Sequence, residues 1–177
     1  MKPPKLKTKN FIIRPFAKKD LILFTKYRSN KNVEKYQGWS NFTYEDAVEF
    51  FDGMDYALFG TVGCWFQLAI ASFETDELLG DIAVHFIDDE QIEIGFTVSP
   101  DYQNQGVATE AVTFFLEYVF KQLKRHRVIA ITDTRNIASF QLLEKLGFRK
   151  EGHFIQNVFF KGKWGDEYLY ALLKSEI

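Results

Sequence analysis

One segment, residues 92–108, limits the possible folds of this chain more than any other. An apolar alternation from Ile92 to Val98 stops at Pro100, and a short polar loop then leads to Gly106 and a long amphipathic pattern. The segment therefore predicts a strand, a tight loop and a helix. A helix that begins there directs free backbone N–H groups and the positive end of its dipole toward one point, which suits an anion such as a phosphate or pyrophosphate.

The loop sequence, Gln103-Asn104-Gln105-Gly106-Val107-Ala108, excludes two common nucleotide-binding motifs. It is not a Walker A loop, because no Gly-Lys-Ser/Thr follows the glycine. With one glycine it also lacks the three-glycine fingerprint of dinucleotide-binding folds. The loop thus predicts an anion seat of a different kind.

Length and charge restrict the class of protein. The 177 residues fit one domain, with a core from about residue 8 to residue 174, and the 46% hydrophobic content is sufficient for a buried core. Because 22 Lys and Arg residues nearly balance 24 Asp and Glu residues, no global field attracts nucleic acid or an anionic membrane. We expect neither partner, and we expect a monomer or a homodimer.

The cysteine and histidine content argues against a metal site. A single cysteine, Cys64, excludes an intrachain disulfide, and the three histidines match no metal-ligand spacing. Cys64 lies in an apolar run, which predicts a buried structural thiol. The N-terminus shows no apolar signal segment, so we expect a cytoplasmic protein.

Hydrophobic periodicity predicts the order strand, two helices, three strands, helix, strand, helix, two strands. A helix between two strands implies a parallel strand pair, whereas the preceding meander is antiparallel. The sequence therefore predicts an α/β (α+β) fold with a mixed, mostly antiparallel sheet of seven strands and about four helices on both faces. The predicted strands span residues 11–14, 63–72, 78–87, 91–98, 128–131, 149–161 and 165–174, and the helices span 19–28, 43–54, 106–122 and 136–146.

The loop motif is followed, about thirty residues later, by Asn136-x-x-Ser139 and then by Gly147-Phe148. Together these motifs resemble the acyl-coenzyme-A motif of the GNAT acetyltransferase superfamily and its following strand–helix unit. The predicted order of elements agrees with the GNAT fold from end to end.

A narrower likeness joins both ends of the chain. Arg14-Pro15-Phe16, Thr43-x-x-Asp46 and the ending Gly162-Lys163-Trp164-x-Asp166 are similar to the RimJ/RimL-like branch. That branch contains enzymes that acetylate the N-terminal amine of ribosomal proteins, as well as acetyltransferases for small amines and antibiotics. The likeness therefore leaves the acceptor open.

The resemblance implies acetyl-coenzyme A as cofactor. The loop amides would hold its pyrophosphate, and backbone amides of the strand that precedes the loop would hold the pantetheine and polarise the thioester carbonyl. Asn136 is also a complete N-cap candidate, so both roles are open. The implied cofactor-binding residues are Phe96, Thr97, Val98, Gln103, Asn104, Gln105, Gly106, Val107, Ala108, Asn136 and Ser139.

Two residues are candidates for the proton transfers. Glu93 alternates away from Ile92 and Ile94, so it faces the opposite side of the sheet and could accept a proton through water. A solvated carboxylate is the alternative reading. By the resemblance, Leu143 stands where the family often has a tyrosine, so Ser139 is assigned a hydrogen bond to the leaving sulfur, with a small helix residue that faces the cofactor as the alternative. Val158 stands where the branch has a glutamate proposed as the base, which places more weight on Glu93 or on bulk water.

Three aromatic residues, Tyr36, Trp39 and Tyr44, are predicted to line the acceptor groove, with aromatic core as the alternative. We predict an acetyl-coenzyme-A-dependent N-acetyltransferase that acts on a primary amine, preferably the N-terminal amine of a protein or peptide, by direct transfer in a ternary complex. Transfer to a polyamine, antibiotic or amino acid stays open, as does a non-catalytic acyl-coenzyme-A sensor.

Overall fold

The computed structural model describes residues 1–177 and contains one eight-stranded sheet with the order β1-β2-β3-β4-β5-β6-β8-β7. Strands β5 and β6 are parallel, and every other neighbouring pair is antiparallel. The strands are β1 (Leu6–Lys7), β2 (Phe11–Pro15), β3 (Trp65–Ser72), β4 (Leu78–Phe86), β5 (Gln91–Val98), β6 (Arg127–Asp133), β7 (Arg149–Phe160) and β8 (Lys163–Leu173).

Five α-helices flank the sheet. They are α1 (Leu21–Arg28), α2 (Lys31–Glu34), α3 (Tyr44–Asp52), α4 (Val107–Glu117) and α5 (Ile137–Lys145). Helix α4 continues as a π-helical segment over Tyr118–Gln122. No helix is both long and apolar enough to cross a lipid bilayer.

The predicted fold class is confirmed, and the strand and helix counts are each one too low. The additional strand, β1, has two residues, which is too short to show an alternating pattern. The additional helix, α2, has four residues and begins where the Asn30 side chain accepts a hydrogen bond from the Asn32 amide. Thr43 and Asp46 form a reciprocal capping box at the start of α3.

The two faces of the sheet are covered by different helices. Ile92, Ile94 and Val98 of β5 pack into the main core together with α4. On the opposite face, α1 and α3 pack over Ala69 and Leu78 in a second, smaller core cluster. Glu93 lies on that opposite face, as the alternation predicts.

Strands β5 and β6 separate soon after they meet. Their parallel pairing covers only Gln91 to Glu93 of β5 against 127–129 of β6. Beyond that point β5 remains paired with β4, and β6 remains paired with β8 as far as Asp133. The sheet is therefore divided into two halves by a gap that widens toward the carboxyl ends of β5 and β6.

Candidate active site

The loop before α4 presents a row of free amides. Gly106 has φ +80° and ψ 0°, a left-handed conformation that glycine adopts at low cost, and a Cβ added there would meet no atom within 4 Å. The first backbone hydrogen bond of α4 runs from the Glu110 amide to the Gly106 carbonyl. No backbone carbonyl accepts a hydrogen bond from the amides of residues 104–109, so these donors are available to an anion.

The hydrogen-bond pattern of β5 decides which of its amides face the gap. Ser99 donates its amide hydrogen to the Leu79 carbonyl, so the odd-numbered residues of β5 exchange hydrogen bonds with β4. The even-numbered residues Phe96 and Val98 therefore direct their N–H and C=O groups into the gap, as predicted for the cofactor strand. These two amides are candidates for binding the pantetheine and polarising a thioester carbonyl.

A cavity of about 600 Å³ joins the loop amides to this gap. A volume of this size is typical of small-molecule and cofactor sites. Its walls come from the region of α2, from β5, from the start of α4 and from α5. The lining includes the predicted residues Phe96, Thr97, Val98, Gln103, Asn104, Gly106, Val107, Ala108, Asn136 and Ser139. Free amides at one end and a strand gap at the other fit the pyrophosphate and the pantetheine arm of coenzyme A.

The two glutamines of the loop have structural partners. The Gln103 side chain donates from Nε2 to the Val98 carbonyl over 3.0 Å, which fixes the loop against β5. Gln105 donates from Nε2 to the Asp101 carbonyl over 3.1 Å and lines a smaller neighbouring cavity instead of the main one. The free backbone amides, rather than these two side chains, are therefore the candidate anion-binding groups.

Asn136 and Ser139 lie together at the start of α5. The Asn136 Oδ1 atom accepts a hydrogen bond from the Ser139 amide over 3.3 Å, so the predicted N-cap role is confirmed. Leu143, one turn further along the helix, is buried in the core. This aliphatic side chain supplies no hydroxyl group for proton transfer.

Glu93 is half-buried on the face away from α4. Burial raises the pKa of its carboxyl above the usual range, the negative charge of Glu167 raises it further, and the nearby His85 opposes the rise. The His85 Nδ1 atom lies 3.5 Å from Glu93 Oε2. A half-buried carboxylate with a raised pKa beside the strand gap is therefore a candidate proton acceptor.

The three predicted acceptor residues are in different places. Tyr36 lines the main cavity, and its hydroxyl donates to the Arg135 carbonyl over 3.1 Å. Trp39 donates to the Arg28 carbonyl and stacks on the Arg28 guanidinium, which is a structural role. Tyr44 is exposed at the start of α3 and does not line the cavity.

Three residues that share the face of Glu93 were not predicted from the sequence as site residues. Trp65 pairs with His85, and His85 pairs with Glu93, across three adjacent strands. Glu167 on β8 is close enough for its charge to act on Glu93. Only the strand register brings these residues together, and no local motif in the sequence encodes that register.

The open sheet, the loop of free amides and the gap define an acyl-coenzyme-A-dependent transferase, and comparison with known proteins gives the family. A model of the acetyltransferase (GNAT) domain matches residues 10–149. The chain therefore belongs to the GNAT acetyltransferase family, and it is an N-acetyltransferase that uses acetyl-coenzyme A.

Two curated relatives and one solved structure illustrate the similarity. The uncharacterized N-acetyltransferase YnaD of Bacillus subtilis is 36% identical over 170 residues, which are 96% of each chain. The spermidine N(1)-acetyltransferase of Escherichia coli K12 is 26% identical over 86% of this chain and 80% of its own. A GNAT acetyltransferase structure from Bacillus anthracis has a TM-score of 0.88 and 32% identity, covering 98% of this chain and 100% of the other.

Lys145 is the basic residue among those that line the cavity, and its side chain is exposed. Because coenzyme A carries several phosphate charges, we expect Lys145→Ala to raise the KM for acetyl-coenzyme A about fivefold with little change in kcat, the effect typical of one exposed ionic contact. The increase should shrink in high salt. Lys18→Ala, which removes an exposed lysine outside the cavity, is the control, and equal effects of the two variants would contradict a role for Lys145.

Proposed function

We propose that the chain transfers the acetyl group of acetyl-coenzyme A directly to a primary amine, preferably the N-terminal amine of a protein or peptide. The observation that carries this proposal is the position of Glu93. Glu93 is the last residue of β5 that pairs with β6 before the gap, and its side chain is on the face opposite α4. In this proposal Glu93 accepts the proton of the acceptor amine, and the backbone amides that face the gap bind the thioester carbonyl.

Each group at the gap has a definite task. Bound acetyl-coenzyme A supplies an activated thioester. The amide of Phe96 or Val98 donates to its carbonyl oxygen, where negative charge develops. Glu93 accepts the amine proton through water, and an α-amine with a pKa of about 7.7–8.0 demands only a weak base. Ser139, which lines the cavity, would hydrogen-bond the departing sulfur.

The preference for a peptide acceptor rests on the shape of the face around Glu93. Helices α1 and α3 cover one end of that face, at Ala69. The rest of the face exposes apolar side chains on both sides of the gap, including Trp65 on β3 and Ile131 on β6. An extended peptide can lie along such an open, partly apolar surface while its amine reaches Glu93.

A small cationic amine is a second candidate, and two observations favour it. Glu93 and Glu167 together place two carboxylates near the gap, which would attract a second positive charge on the acceptor. The Escherichia coli relative is named for spermidine, a small polyamine. Membership of the RimJ/RimL-like branch and a cytoplasmic location also remain predictions.

Release of coenzyme A thiol from acetyl-coenzyme A by the purified protein tests the proposal. Lysine-free peptides with a free N-terminus should support turnover. The same peptides with an acetylated N-terminus should not. Turnover with polyamines alone would replace the peptide proposal by the second candidate. Binding of acetyl-coenzyme A without release of thiol in the presence of any free amine would contradict both candidate functions. It would support a non-catalytic acyl-coenzyme-A sensor.

A further inference from the structure

A cross-strand row on the open face ends at Glu93. Trp65, His85 and Glu93 are direct register partners on β3, β4 and β5, so their side chains lie side by side on one face. The Trp65 and His85 rings are stacked, with centroids 4.6 Å apart and planes inclined by 8°. Stacking of this kind holds the imidazole in one orientation at the edge of Glu93.

The Nδ1 atom of His85 is buried and makes no hydrogen bond. The carboxylate oxygen Glu93 Oε2 lies 3.5 Å from this nitrogen. This separation is longer than a good hydrogen bond, and such contacts at catalytic sites commonly shorten when substrates bind. Leaving a buried nitrogen without a hydrogen bond costs free energy. A closer approach of His85 Nδ1 to the Glu93 carboxylate is therefore favoured.

We propose that His85 is a positioning residue, fixed by its stack on Trp65, that orients the Glu93 carboxylate and keeps it ionised for proton transfer from the acceptor amine. This inference rests on the proposed function, in which Glu93 is the base. Because Oε2 faces His85, the second oxygen of Glu93 is left for the water or the amine. Trp65 acts one step further away, through the orientation of His85.

The groups around Glu93 fix the sign of the expected effect. On β4 it faces His85, on β6 its partner is the apolar Ile129, and on β8 the charged neighbour is Glu167. Burial and Glu167 both raise the pKa of Glu93, and His85 alone lowers it. Loss of His85 should therefore raise the pKa of Glu93, and the base should be lost at a higher pH than in the wild type.

His85→Phe keeps an aromatic ring for the stack and removes the nitrogen. We expect the acid limb of the kcat/KM profile to move up by about one pH unit, which is a tenfold change in the ionised fraction of a titrating group. The KM for acetyl-coenzyme A should not change, because His85 does not line the cofactor cavity. His85→Gln, which can still donate a hydrogen bond, should recover most of the activity.

The exposed His126 provides a matched control, and His126→Gln should behave as the wild type. A double-mutant cycle separates positioning from an independent role. If His85 acts only through Glu93, the double variant His85→Phe/Glu93→Gln should be no slower than Glu93→Gln alone. Multiplicative losses in the double variant would overturn the proposal.

A titration without acetyl-coenzyme A tests the same point apart from turnover. The Glu93 carboxyl carbon can be followed by NMR against pH and assigned by its loss in Glu93→Gln. We expect its midpoint to rise by about one unit in His85→Phe, and an unchanged midpoint would overturn the proposal. If the wild type acetylated no amine, the proposed function would fail, while this titration would still decide whether His85 controls Glu93. Thermal unfolding checks that each variant is folded.

Discussion

Replacement of Glu93 by glutamine should lower kcat by about 100- to 10,000-fold, the range typical of a lost general base. Affinity for acetyl-coenzyme A should change by less than about twofold, because the Glu93 side chain faces away from the cofactor loop. The substitution removes an interaction that is made only in the transition state. Glutamine keeps the size and polarity of the side chain but cannot accept a proton. Steady-state kinetics combined with calorimetric binding of acetyl-coenzyme A measures both quantities.

The pH dependence gives this prediction a second readout. Burial holds the pKa of Glu93 above its usual range, and a base must be deprotonated, so wild-type activity should fall as the pH drops through that raised pKa. The variant should lack this acid limb. Glu90→Gln, at an exposed position in the turn before β5, is the matched control. A Glu93→Gln enzyme with the wild-type rate and pH profile would show that Glu93 is not the base.

Replacement of Gly106 by glutamate should weaken acetyl-coenzyme A binding by at least about 100-fold. A negative side chain would enter the space beside the free amides of residues 104–109, and a like charge at an anion seat costs several kcal/mol. The positive φ of Gly106 adds backbone strain for any larger residue. Isothermal titration of the purified variant with acetyl-coenzyme A measures the loss.

Strain must be separated from the effect of the charge. Gly162, in the turn between β7 and β8, also has a positive φ and no atom within 4 Å of an added Cβ, so Gly162→Glu carries similar strain and the same charge. This control should leave acetyl-coenzyme A binding unchanged. Wild-type affinity for acetyl-coenzyme A in Gly106→Glu, or an equal loss of affinity in both variants, would show that the loop does not bind the cofactor.

The strand–loop–helix unit was predictable because its signals are local. Alternation from Ile92 to Val98, the stop at Pro100 and the glycine at position 106 each depend on neighbouring residues only. The structure places them as predicted, with the free amides at the start of α4. Asn136 was predictable for the same reason, because an N-cap is defined within one turn of its own helix.

The acceptor side was less predictable because it depends on register. Trp65 and His85 are twenty residues apart in the sequence and become neighbours only through the pairing of β3 with β4. From the sequence, Trp39 was predicted to line the acceptor groove, yet in the structure it stacks on Arg28. The gap likewise depends on where the pairing of β5 with β6 ends, and no residue type marks that point.

We propose that coenzyme A binds between the loop and the gap, on the side of the cavity away from Trp65 and His85. Titration of the 15N-labelled protein with coenzyme A, followed by NMR, measures where it binds. We expect large chemical-shift changes for the amides of residues 104–109, Phe96 and Val98, and little change at the Trp65 indole N–H. Shifts centred on Trp65 and His85, with the loop amides unchanged, would contradict it.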